Sequence, residues 1–208
     1  FTYALAHAKL GVEVLARPQL MDGDSTYHGL IFVRKASGIK AADKMRGKIF
    51  AFVDKATTAG YLLPLVYFQT HGIADYKSYF KETYFAGTHE DVIYDVLNRK
   101  ADIGAAKSTV YERLAKMDSR ISQELVILDR SPDVPENGLA VSKTLDEAIK
   151  KNLKHALLTM HMDPEGREVL KKFESQKFIE TTNEDYNSVY KYARQIRLDL
   201  AAYDYINE

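Results

Sequence analysis

The sequence predicts an α/β protein whose sheet is largely parallel. Short apolar, β-branched runs alternate along most of the chain with segments of helical period. Glycine and hydroxyl residues stand where one kind of segment gives way to the next. The 208 residues are 46% hydrophobic, enough for a sizeable buried core in one large domain or two smaller lobes.

The predicted strands share apolar and β-branched composition. They lie at 12–17, 30–35, 49–54, about 80–86, 101–107 and 124–131, with another after the linker 131–143. The predicted helices share an apolar face at helical spacing. They lie at 2–9, 37–48, 58–70, 88–100, 108–117, 144–160, 164–174 and about 183–203. Gly11 is placed to end the first helix, and Pro164 follows Asp163 where a helix starts well.

Composition excludes several classes of function. The 29 basic and 29 acidic residues balance, so no overall field favours nucleic acid as a partner. Cysteine is absent, which excludes disulfides and thiolate metal sites and suits an oxidising periplasm. No apolar run approaches the ~20 residues of a membrane span. Since the chain opens at Phe1 without methionine, we expect a processed, cut or incomplete product.

The stretch "DKATTAGY" follows a predicted strand and opens a predicted helix. Free N–H groups at such a helix start, together with the helix dipole, favour bound anions. Thr57 and Thr58 add hydroxyl donors, and the backbone at Ala59 and Gly60 would allow close approach of a ligand. The alternative is that a threonine simply caps the helix.

The stretch "FAGTHEDVIYDV" repeats this arrangement one βα unit later. His89 would offer a ring N–H to an oxyanion, and Thr88 and local amides would add donors. The alternative is a capping box between Thr88 and Asp91. Helix starts that follow neighbouring parallel strands open at the carboxyl edge of a sheet, where open α/β folds bind ligands.

Other candidates are weaker in pattern. Tyr27 stands before a buried strand and is either a hydrogen-bond donor at a site or a half-buried surface residue. Asp102 ends a helix-to-strand turn. A hydrolytic triad of Thr58, His89 and Asp102 has no nucleophile elbow to support it. The histidines are scattered without a metal-binding motif, so neither a metal nor a cofactor is predicted.

The ordered motifs resemble one family. The chain reads Tyr27, then "SGI" at 37–39, "DKMRGKIFAFVD", "TTAGYLLP", "GTHED" and "ADIGA". This order resembles the phosphate/phosphonate-type, PhnD-like periplasmic substrate-binding proteins of ABC transporters, over about residues 1–190. The family's third hydroxyl position is Ala59 here, and βα units that normally precede "TYALA" are absent.

The resemblance implies a two-lobed type II periplasmic-binding-protein fold with mixed, mostly parallel sheets, closing on a ligand at a hinge cleft. Its anion-binding positions fall on Tyr27, Thr57, Thr58 and His89, with amides around Ala59 and Gly60; Asp102 matches a recurrent acidic position. Strand pattern and linkers predict lobe one at 1–34, lobe two at 35–129, and a return to lobe one at 130–208.

The expected function is therefore non-enzymatic binding of phosphonate, phosphite or phosphate in the periplasm or another extracytoplasmic space, with delivery to an ABC transporter permease. An alternative is the extracellular sensing domain of a membrane signalling protein such as a sensor kinase. A remote alternative is a hydrolase of phosphate or phosphonate esters, for which no catalytic motif is present.

Overall fold

The computed structural model describes residues 1–207, which form two compact units. Unit 1 comprises residues 1–27, 134–191 and 199–203, and unit 2 comprises residues 28–133, 192–198 and 204–207. The sequence-based boundaries, 34/35 and 129/130, differ from the structural ones at 27/28 and 133/134. The reason is that the strands at 29–34 and 125–130 pair in one sheet of unit 2.

The helices in chain order are α1 Thr2–Leu10, α2 Leu63–Thr70, α3 Tyr76–Tyr79, α4 His89–Leu97, α5 Ser108–Met117, α6 Ser119–Glu124, α7 Glu147–Thr159, α8 Pro164–Lys172 and α9 Asn187–Gln195. The strands in chain order are β1 Glu13–Leu20, β2 Thr26–Tyr27, β3 Gly29–Arg34, β4 Ile49–Phe52, β5 Glu82–Phe85, β6 Ile103–Lys107, β7 Leu125–Arg130, β8 Val134–Pro135, β9 Leu139–Val141 and β10 Ser175–Glu180.

Unit 1 is built on an antiparallel sheet in the order β10-β1-β9, with β2 pairing β8 separately. Ala16 of β1, Phe178 of β10 and Leu170 of α8 are buried together. Gly11 ends α1 in the left-handed conformation, at φ 66°, as its sequence position predicted. All the strand pairs of unit 1 are therefore antiparallel.

Unit 2 is built on a five-stranded sheet in the order β5-β4-β6-β3-β7. β4 runs parallel to β5 and β6, whereas β3 runs antiparallel to β6 and β7. The α/β class with mixed sheets is confirmed. Parallel pairing is less common than predicted, because β3 runs against the direction of both its neighbours and the sheet of unit 1 is antiparallel.

Both faces of the unit 2 sheet are covered, which explains the near-continuous apolar runs of its central strands. One face packs Val92 and Val96 of α4 and Ile121 of α6 in a fully buried cluster. The other is aromatic: the rings of Phe50 and Phe68 meet edge to face at 5.1 Å. Such pairs add about 0.5–1.5 kcal/mol beyond the burial of their area. The sheet is thereby packed on both faces, and its ends carry the loops that lead into the helices.

Three local predictions differ from the structure. Residues 37–48 form only 3₁₀ turns, because Gly38 adopts φ 71° and interrupts any helix. The helix predicted over 183–203 is shorter, since α9 ends at Gln195 and Arg197 adopts φ 57°. Strand β10 lies in a region predicted to be mostly helical, and it is held by antiparallel pairing with β1.

Candidate functional site

Strands β4, β5 and β6 end together at one edge of the unit 2 sheet. The register pairs Phe52 with Phe85 in parallel, and β6 runs parallel to β4. We call this the carboxyl edge; it carries the helix starts that follow β4, β5 and β6, at Thr58, His89 and Ser108. Strand β3 begins there too, since Gly29 pairs with Lys107. The two helix starts singled out from sequence therefore lie at one edge of the sheet.

The helix start after β4 is not capped by threonine. Thr57 occupies the N-cap position, but its hydroxyl donates to the Asp54 carbonyl at 2.7 Å and makes no cap to a helix N–H. Residues Thr58–Leu62 form a π-helical turn that continues into α2. Its first bond runs from the Leu62 N–H to the Thr57 carbonyl, at 3.2 Å. The simple capping alternative thus does not hold at this turn.

The wide first turn leaves backbone N–H groups at the N-terminal end of the helix without an acceptor in the described part of the chain. Within residues 1–207, the N–H groups of Ala59 and Gly60 donate to no acceptor, as the N–H groups of a first turn have no intrahelical partner. Both residues are buried. Unsatisfied N–H groups at a helix start, combined with its dipole, are a ready anion site.

Glycine is required at position 60. A Cβ there would lie 2.4 Å from the Val53 Cβ and 2.8 Å from the Thr57 Oγ1. The Val53 N–H donates to the Gly60 carbonyl at 3.2 Å, which ties the helix start to the end of β4. Because the backbone of the turn lies directly against the strand, its N–H groups are held in place.

The helix start after β5 is capped. The Thr88 hydroxyl accepts from the Asp91 N–H at 3.0 Å and donates to the Asp91 carboxylate at 2.7 Å. Gly87, at φ 91°, makes the turn that precedes it. The capping alternative therefore describes Thr88, whose hydroxyl is engaged in this way.

His89, by contrast, presents a ring nitrogen. The Lys107 backbone N–H donates to its Nδ1 at 3.2 Å. Since a backbone N–H is always a donor, Nδ1 is the acceptor, and in the neutral ring the proton is on Nε2. Nε2 makes no hydrogen bond to any part of the chain from 1 to 207. Burial, and next the positive charge of Lys107, lower the pKa of His89 to about 4, so the ring is neutral at pH 7.

The third helix start at the carboxyl edge was not singled out from sequence. Lys107 is its N-cap residue and Ser108 its first helical residue. Lys107 fixes the His89 ring with its N–H and brings a positive charge close to it. The buried Ser108 hydroxyl accepts from the His28 N–H at 3.1 Å. The sequence did contain a signal for this helix start: in "GAAKSTV" a strand is again followed by hydroxyl residues, as at the other two helix starts.

Asp102 lies at the opposite end of β6. Its carboxylate accepts from Arg34 at 3.0 Å and from the Ile49 N–H at 3.1 Å. Five residues of strand, roughly 17 Å, separate it from Lys107. The triad of Thr58, His89 and Asp102 is not assembled, since the His89 Nδ1 is bonded to Lys107 instead. The structure therefore assigns Asp102 to holding β3, β4 and β6 together rather than to the carboxyl edge.

Tyr27 belongs to unit 1. It is buried there, in β2, which pairs with β8 through Val134. Its role in a ligand site stays a prediction. None of the helices within residues 1–207 combines the length and the apolar character that crossing a membrane requires.

Comparison with known proteins identifies similar sequences. A family model described as "ABC transporter, phosphonate, periplasmic substrate-binding protein" matches residues 1–186. The phosphonates-binding periplasmic protein of Escherichia coli (strain K12) is 27% identical over 165 residues, which are 77% of this chain and 48% of that protein. A probable ABC transporter phosphite binding protein of Prochlorococcus marinus (strain MIT 9301) is 22% identical over 165 residues, 77% of this chain and 56% of that protein. The chain spans about half the length of the curated relatives it matches.

A solved structure shows the same fold. The binding protein component of an ABC phosphonate transporter from Pseudomonas aeruginosa superimposes with a TM-score of 0.78 at 22% identity. The superposition covers 89% of this chain and 63% of that chain. The predicted type II periplasmic-binding-protein fold is thereby confirmed.

Proposed function

Since the chain belongs to the family of phosphonate-type periplasmic substrate-binding proteins of ABC transporters, we propose that it binds a small phosphorus oxyanion, namely a phosphonate, phosphite or phosphate. Two relatives are named as binding phosphonates and phosphite. The family implies an extracytoplasmic location. Delivery of the ligand to a transporter permease, and any membrane anchor in the full-length protein, belong to the same proposal.

The fixed tautomer of His89 is the observation that carries this proposal. Its Nε2–H is a neutral donor at the same sheet edge as the N–H groups of Ala59 and Gly60. A tetrahedral oxyanion accepts several hydrogen bonds at once, and hydrogen bonds to a charged acceptor are roughly twice as strong as neutral ones. A small oxyanion therefore matches this donor set.

Thr57 and Thr58 have different parts in the proposed site. The Thr57 hydroxyl is used by the Asp54 carbonyl, so Thr57 contributes by shaping the turn. Thr58 is buried at the first position of the π-helical turn, and we keep its hydroxyl as a candidate donor. Because Ala59 has no hydroxyl, its contribution is its N–H alone. Tyr27 and the closure of two lobes around the ligand stay predictions of the family resemblance.

A ligand panel tests the proposal. Thermal unfolding is measured with phosphate, phosphite, methylphosphonate, 2-aminoethylphosphonate and sulfate. A ligand at 100 times its Kd adds about 2.7 kcal/mol to the free energy of unfolding, which is a clear shift in Tm. We expect stabilisation by at least one phosphorus oxyanion. The variant Thr58→Val with His89→Ala should fold and lose that shift; no shift with any phosphorus oxyanion would refute the proposal.

A further inference from the structure

The end of the chain packs onto the helix that carries the proposed site. The family model stops at residue 186, so the chain from Asn187 onward lies outside the family match. Residues 192–198 and 204–207 belong to unit 2. We call these two stretches the C-terminal strap. It contacts the helix Thr58–Thr70 and the turn that precedes that helix.

One end of the strap contacts the carboxyl end of α2. Gln69 donates its side-chain N–H to the Gln195 carbonyl at 2.9 Å, and the Gln195 amide donates to the Thr70 hydroxyl at 3.4 Å. Tyr192 lines a cavity of about 230 Å³ together with Leu63 of α2. The strap therefore holds this end of the helix by polar contacts and lies along its side.

The other end of the strap contacts the turn before the helix. The Asn207 side chain accepts from the Lys55 N–H at 3.1 Å and donates to the Asp54 carboxylate at 2.5 Å. Lys55 also donates its ammonium to the Ile206 carbonyl at 2.6 Å. One side-chain amide thus joins two consecutive residues of the turn, using both its donor and its acceptor.

The turn that Asn207 holds sets the helix start. Asp54 accepts the Ala56 N–H with its carboxylate at 2.7 Å, and it accepts both the N–H and the hydroxyl of Thr57 with its carbonyl. Thr57 is the N-cap residue of the π-helical turn that carries the Ala59 and Gly60 N–H groups. A displacement of Asp54 is therefore passed on to these donors through Thr57.

We propose that Asn207 is a positioning residue for oxyanion binding, which it supports by fixing the Asp54–Thr57 turn. This inference rests on the proposed function. Asn207 also keeps the Asp54 carboxylate occupied on the turn. A carboxylate without that partner would compete as an anion for the N–H groups of the helix start, where negative charge is favoured. Loss of Asn207 would thus weaken the site without removing any group that touches the ligand.

Four variants test this role in the full chain: Asn207→Ala, Asn207→Asp, Asp54→Asn with Asn207→Asp, and Asn152→Ala as a control on the exposed face of α7. Asn207→Asp places two carboxylates together. The double variant restores one donor and one acceptor with their places exchanged. Methylphosphonate and phosphite affinities are measured by calorimetry, and amide exchange of residues 56–60 is measured without ligand.

We expect Asn207→Ala to weaken binding ~3–10-fold, the effect of losing one or two hydrogen bonds, and to speed exchange in the turn. Asn207→Asp should weaken binding more, the double variant should recover most of the loss, and Asn152→Ala should change neither quantity. Unchanged affinity in Asn207→Ala overturns the positioning role, whether or not exchange speeds up. If the wild-type chain binds no oxyanion, the proposed function fails and this role fails with it, while the exchange data still report whether the strap holds the turn.

Discussion

The backbone N–H of Lys107 donates to Nδ1 of His89 at 3.2 Å. This bond joins the end of β6 to the start of α4, the helix that follows β5 of the same sheet. It fixes the ring orientation and the tautomer together, and it leaves Nε2–H as the donor. A histidine can thereby act as a neutral hydrogen-bond donor to an anion, with no positive charge of its own.

Replacing His89 should therefore reduce affinity by removing one donor. Hydrogen bonds to charged groups contribute about 1.5–3 kcal/mol, so we expect His89→Ala to weaken the binding of the best phosphorus oxyanion ~10–100-fold. His89→Gln keeps a side-chain N–H and should lose less. Calorimetry checks both, with His155→Ala, an exposed histidine of α7, as the control. Equal affinities in His89→Ala and wild type would remove His89 from the site.

The lowered pKa of His89 predicts how stability depends on pH. The ring titrates near 6.5 in the unfolded chain, whereas burial and Lys107 lower its pKa to about 4 in the folded one. Between these values the unfolded state binds more protons than the folded state. The contribution of His89 to the free energy of unfolding is therefore fully present above pH 6.5 and is lost as the pH drops toward 4. Over the whole window the loss of stability from this residue is about 3 kcal/mol. Urea unfolding measured from pH 4.5 to 7.5 should show that the free energy of unfolding depends less steeply on pH in His89→Gln than in the wild type. An identical pH dependence in the two proteins would contradict the lowered pKa of His89.

The sequence was informative where local pattern determines structure. Gly11 ends α1 as predicted, and the two helix starts at Thr58 and His89 follow strands at one edge of a sheet. These features depend on residues a few positions apart. Turn glycines, hydroxyl residues and apolar periodicity record such features directly.

The features that the sequence did not predict depend on distant partners. Strand β10 pairs with β1, and Phe178 lies opposite Pro18 across 160 positions of sequence. The π-helical turn depends on the close approach of Gly60 to Val53, and the tautomer of His89 depends on Lys107. Local pattern carries no record of such contacts, because they form only after the sheet is assembled.

Asp102 should prove to be structural. Its carboxylate satisfies the Arg34 guanidinium and the Ile49 N–H, and both would lose a partner in Asp102→Ala. Leaving buried or half-buried donors unsatisfied costs about 1–3 kcal/mol, so the urea midpoint should fall while ligand affinity of the folded protein is unchanged. Asp43→Ala removes an exposed ion pair of the same unit and is the control. It should change neither the urea midpoint nor the ligand affinity. A large loss of affinity without a loss of stability would return Asp102 to the ligand site.

Lys107 should influence which oxyanions bind. Its charge is near the His89 ring, since it contributes to lowering the pKa of that ring. A dianion should gain from this charge, whereas the ammonium group of 2-aminoethylphosphonate should be repelled, so methylphosphonate is expected to bind more tightly. Lys107→Gln should weaken the binding of methylphosphonate ~3–10-fold at low salt and less at high salt, because ions screen exposed charges.

Lys107→Gln should also reduce the difference in affinity between methylphosphonate and 2-aminoethylphosphonate, because the charge that repels the ammonium group is gone. Lys116→Gln makes the same change of net charge at an exposed position of α5 and is the matched control. Calorimetric titrations at two salt concentrations distinguish a local effect of the Lys107 charge from an effect of net charge alone. If both lysine variants shift affinity equally, only the net charge of the chain matters, and Lys107 has no special part in choosing the ligand.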